Sequence, residues 1–75
     1  MTPQTLDFDT WHELYDYIFE SRLNGQKKQS KELYQSLQQE RQVEFQDYLM
    51  DMYYHDWISA EMLAKSLKFY ANKNN

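Results

Sequence analysis

A chain of 75 residues is one domain or part of one, too short for a domain plus a second folded module. It is 41% hydrophobic and 17% aromatic against 27% charged, enough apolar bulk for a packed core, which excludes disorder throughout. Twelve Asp and Glu against eight Lys and Arg give a net charge of -4, which disfavours binding to a phosphate backbone and suits a basic partner surface. With no cysteine there is no disulfide framework, thiolate nucleophile or Cys-based zinc site.

One Gly and one Pro leave few turn signals, and eight Gln among Leu, Met, Glu and Lys favour helix. The expected fold is an all-α, single-domain bundle of three or four helices over residues 1–75, with 1–8 and 72–75 frayed. Residues 1–5 show no basic stretch followed by an apolar run, so no secretory signal is expected there. No apolar run approaches the ~20 residues of a spanning helix, and a cytoplasmic protein away from the membrane is the expectation.

In chain order, Thr10-Trp11-His12-Glu13 is a capping box that opens a helix running to about Leu23. Trp11, Leu14, Tyr15, Ile18 and Arg22 share one face, and Asn24-Gly25 is a left-handed stop. Residues 25–29 are expected to form a loop, with Lys27 and Lys28 beyond the negative end of the first helix. Ser30 is placed to cap a second helical segment, whose stripe Tyr34, Leu37, Arg41, Phe45, Tyr48 and Met52 runs to about Tyr54. This segment is one helix or two; the polar run Gln38 to Gln42 is where a bend belongs. Arg41 lies on the apolar stripe, so it must snorkel to solvent or find a carboxylate. After a tight linker, His55 to Ile58, a last helix starts at Ser59, with Leu63, Ala64, Leu67 and Tyr70 facing inward and Ile58 and Leu63 placed as a hydrophobic staple. Leu14, Ile18, Leu37, Phe45, Leu49, Leu63 and Leu67 are the expected core.

The charge pattern carries the functional signal. Residues 1–20 and 42–61 contain acids and no Lys or Arg. Asp9, Glu13, Asp16 and Glu20 follow steps of four, three and four, as do Glu40, Glu44, Asp47 and Asp51, so each set forms one helical stripe. The segments Glu13 to Glu20 and Glu44 to Asp51 also echo one another in chemical type, too briefly to define a repeat architecture. Read blandly, these acids are solvated helix faces that keep an aromatic-rich protein soluble. Read functionally, they steer toward Lys and Arg on a partner while aromatic rings anchor.

The preferred site is Glu40, Glu44, Asp47, Tyr48, Asp51, Tyr54 and Trp57, with Asp9, Glu13, Asp16 and Glu20 as the second face. The expected function is a non-enzymatic protein-binding module or regulator, with no cofactor, no direct nucleic-acid binding and an open oligomeric state. The alternative is an inhibitor of the phage or mobile-element type that mimics nucleic acid, although one acid every three or four residues is sparse charge for imitating a duplex. A lesser alternative is metal binding through the i, i+4 pairs His12/Asp16 and Asp51/His55, should their helices face each other. Catalysis finds little footing. A single Gly cannot make a phosphate loop, no Ser sits in a nucleophile elbow, and a helical chain of this size offers little concave volume.

Overall fold

A computed structural model describes residues 1–72. A 3-10 turn at Pro3–Leu6 precedes α1 (Trp11–Leu23), α2 (Lys27–Gln35), α3 (Gln39–Tyr54) and α4 (Ala60–Ala71), and no strand occurs among the described residues. The protein is a small all-α bundle.

Local chemistry sets four of the helix boundaries. At the start of α1 the Glu13 amide donates to Thr10 Oγ1 at 3.2 Å, and the amides of Asp9 and Thr10 both donate to Glu13 Oε1 at 3.1 Å. Such a capping box satisfies donors that a helix start otherwise leaves open. Ser59 caps α4 in the same sense, accepting from the Met62 amide at 3.1 Å. The end of α1 is a Schellman closure: Gly25 sits at φ 88°, Gln26 N–H donates to Ser21 O at 2.8 Å, and Gly25 N–H donates to Arg22 O at 3.1 Å. The end of α3 repeats it, with Asp56 at φ 59° and Trp57 N–H donating to Met52 O at 2.9 Å.

Because the first closure is so short, the loop expected over residues 25–29 does not form, and α2 begins at Lys27. Lys27 and Lys28 are its first two residues. Ser30 is therefore not a cap but lies one turn inside α2 and fully buried; its hydroxyl donates to Ile18 O at 2.6 Å and is paired with the Tyr70 hydroxyl at 2.9 Å. The second segment is two helices, interrupted at residues 36–38, just before the expected bend. The break is held from the far side: the Gln42 side-chain amide donates to Tyr34 O at 3.1 Å, which also accepts from the Leu37 amide, and to Leu37 O in the connection at 3.3 Å. Residues 1–8, expected to fray, carry the 3-10 turn, and Met1, Leu6 and Phe8 pack on the core. Asn72 closes α4, and the remainder of the expected C-terminal fraying lies outside the described residues.

α1 packs on α2, α3 on α4, and α2 on α4. Leu14, Ile18, Phe45 and Leu49 are completely enclosed, and Leu37 nearly so. The Phe45 ring lies at the centre of an aromatic cluster, 4.8 Å from Tyr70 and 5.6 Å from both Tyr15 and Tyr34, in the tilted and edge-on arrangements that aromatic quadrupoles favour. On α4 the expected inward face is rotated. Tyr70 and Ser66 are buried, Leu63 and Leu67 are half-buried, and Ala64 is exposed. Ser66 goes inside because Arg22 Nη1 donates to its hydroxyl at 2.5 Å, while the guanidinium lies 5.0 Å from the Phe69 ring centre. Among the described residues no helix is long and apolar enough to cross a membrane.

Candidate functional site

The backbones of α1 and α3 approach less closely than those of the helix pairs above, and long side chains span the gap. Tyr15, on α1, donates its hydroxyl to Glu44 Oε1 on α3 at 2.6 Å; Tyr48, on α3, donates to Asp16 Oδ1 on α1 at 2.5 Å. Each helix thus lends a phenol and a carboxylate to the other. Arg41 completes the first link, donating to Glu44 Oε1 at 2.9 Å with its guanidinium 4.0 Å from the Trp11 ring centre. His12 completes the second, its ring edge-on to Tyr48 at 5.4 Å and its Nε2 3.5 Å from Asp16.

These links move acidities in the directions their geometry demands. Burial, reinforced by the hydrogen bond to Glu44, pushes the Tyr15 phenol well above its ordinary value; burial and the bond to Asp16 do the same to Tyr48. The Tyr15 hydroxyl, helped by Arg41, holds Glu44 below the usual carboxylate range. Glu44 in turn raises Arg41, which is the carboxylate partner that a guanidinium on an apolar stripe requires. Between the two links lies a groove of about 420 Å³. Trp11, His12 and Tyr15 line it from α1, and Glu44, Asp47, Tyr48 and Asp51 from α3.

The side of α3 turned away from the core borders this groove at Asp47, faces outward and is not uniformly polar. Val43, Asp47, Met50 and Tyr54 follow an i, i+4, i+7, i+11 stripe on which Val43 is 53%, Met50 38% and Tyr54 70% exposed. Just past the helix end the Trp57 ring is 68% exposed and stacked on His55 at 4.8 Å, while its backbone is pinned by the Schellman bond. Glu40 and Asp47 make no side-chain hydrogen bond or ion pair among the described residues, and Asp51 stands 3.6 Å from His55 Nε2.

The seven residues preferred from sequence thus fall into two groups. Glu40, Asp47, Asp51, Tyr54 and Trp57 are exposed on or beside the outer face, whereas Glu44 and Tyr48 link α3 to α1. In the second row, Glu13 is used by the helix cap and Asp16 by Tyr48, leaving Asp9 and Glu20 solvated. His12/Asp16 and Asp51/His55 form two separate pairs, and among the described residues no three His, Asp or Glu side chains converge to hold a metal ion. Sequence reasoning missed Val43 and Met50; the signal was present as a second apolar spacing on α3, around Asp47, away from the core stripe. It also missed the groove, which depends on two helices far apart in sequence.

Compared with known proteins, the chain matches no family model, no curated protein and no solved structure.

Proposed function

We propose that the protein is a non-enzymatic binding module that docks the outer face of α3 on a basic, partly apolar surface of a protein partner. The observation that carries this reading is the exposed stripe of Val43, Met50 and Tyr54, extended by Trp57 and accompanied by Glu40, Asp47 and Asp51, with no Lys or Arg from residue 42 to residue 61. Large apolar side chains gathered on one solvated helix face favour contact with another macromolecule. Aromatic rings are the commonest energetic anchors of such contacts, and flanking charge sets association rate and partner choice.

The test is capture of partners from the native source by the parent protein and by single variants, followed by binding kinetics with the captured protein. Trp57→Ala and Tyr54→Ala should speed dissociation about tenfold or more each. Asp47→Lys should mainly slow association and flatten its salt dependence. Asp47 is the clean charge probe because Glu44 also serves the α1–α3 link. Unchanged binding by all three variants would remove the outer face from the interface. Mimicry of nucleic acid is tested in the same assay: competition by DNA or RNA for one site on the partner would support it, and simultaneous binding would exclude it.

A further inference from the structure

We propose that the groove between α1 and α3 is a socket for a single arginine side chain presented by the basic partner. The inference rests on the docking reading above, whose charged border it shares: Asp47 and Asp51 stand between the outer face and the groove. The groove, about 420 Å³, is shallow and open to solvent, with room for one long side chain to lie along it. It is lined by the aromatic residues Trp11, His12, Tyr15 and Tyr48 and by the acids Glu44, Asp47 and Asp51. The phenols are already committed, Tyr15 to Glu44 and Tyr48 to Asp16, so the rings are held in place before any ligand arrives.

The local charge balance specifies the occupant. Glu44 is matched by Arg41, and Asp51 has His55 nearby, but Asp47 has no cation of its own among the described residues. A group that enters must therefore carry positive charge and present apolar faces to the rings. The protein shows this recognition internally, where Arg41 lies over Trp11 while bonding Glu44. One turn further along α3, Asp47 and Tyr48 with His12 supply the same combination of carboxylate and ring without a guanidinium. Guanidinium suits it better than ammonium because it is planar, weakly hydrated, stacks on rings and forks to carboxylates.

The experiment is a titration of isotope-labelled protein, followed by amide NMR shifts, with the capped tripeptide acetyl-Ala-Arg-Ala-amide and its citrulline and lysine counterparts. The arginine peptide should shift His12, Asp47, Tyr48 and Asp51; citrulline, the same shape without charge, should not, and lysine should bind more weakly. Asp47→Asn with Asp51→Asn should weaken the arginine peptide about fivefold while retaining the parent's spectral dispersion. Absence of shifts, shifts confined to Val43, Met50 and Tyr54, equal binding of lysine, or parental affinity in the double variant would each overturn the socket. Failure of the docking reading looks different: the peptide would still occupy the groove while Tyr54→Ala and Trp57→Ala captured the partner normally.

Discussion

α1 and α3 carry acids at the same four, three, four steps, and the two rows meet different surroundings. On α1, Glu13 closes the helix start and Asp16 accepts from Tyr48. Of the two exposed large side chains of α1, Tyr17 is also engaged, accepting from the Gln29 amide at 2.8 Å with its ring 5.4 Å from Phe8, while Leu23 stands in solvent at the helix end. On α3, Glu44 is drawn into the link with α1, but Glu40 and Asp47 remain unpaired among the described residues and Val43 and Tyr54 stand in solvent. Equal spacing therefore makes residues share a face without giving them a shared role. What stands opposite each face decides whether a carboxylate serves the fold or remains available to a partner.

The largest effect expected from this contrast lies within α3 itself. Phe45→Ala should cost about 3–5 kcal/mol, comparable to the whole stability of a domain this small, whereas Val43→Ala should stay within about 0.5 kcal/mol. Urea denaturation of the two variants measures the difference between inner and outer faces, and similar losses would break it. A step smaller is the contrast between rows. Asp16→Ala removes the acceptor of the Tyr48 hydroxyl and should cost about 1 kcal/mol, while Asp47→Ala should be neutral or slightly stabilising, since it relieves like-charge repulsion and favours helix. Equal destabilisation by the two would mean that both rows serve the fold.

The response to pH sharpens the same comparison. Tyr15 and Tyr48 have raised phenol pKa values in the folded state, so their contribution is fully present below the ordinary phenol value of about 10 and is lost as pH rises beyond it. Glu44 has a lowered pKa, so its contribution is present above the ordinary carboxylate value and is lost as pH falls through the lowered one. Melting temperature against pH should show a clear alkaline decline and a shallower acid decline, because Glu44 is largely exposed and screened. Glu44→Gln should flatten the acid limb, and Asp47→Asn should leave it intact. The smallest expected effect is that of zinc: its addition should leave the melting temperature unchanged, and a rise abolished by both His12→Ala and His55→Ala would join two pairs that the structure keeps apart.

Features that depend on neighbours in the chain were legible in the residues themselves. Thr10 with Glu13, Ser59 and Gly25 act through hydrogen bonds or backbone conformations confined to a few positions, so the ends they mark fall where the sequence places them. The inward positions of Leu14, Ile18, Leu37, Phe45 and Leu49 follow from helical periodicity, as do the acid rows. Ser30, Gln42 and Ser66 were illegible because their partners, Tyr70 with Ile18, the end of α2, and Arg22, come from other elements and turn polar side chains into interior or capping groups. The division between committed and available acids was decided the same way. Helical spacing places Glu44 and Asp47 on neighbouring lines of α3 with equal charge; Arg41, three residues before Glu44, distinguishes them locally. The approach of Tyr15 from α1, which no local spacing foretells, commits Glu44 to the fold, because a hydrogen bond across helices is set by packing distance and not by sequence.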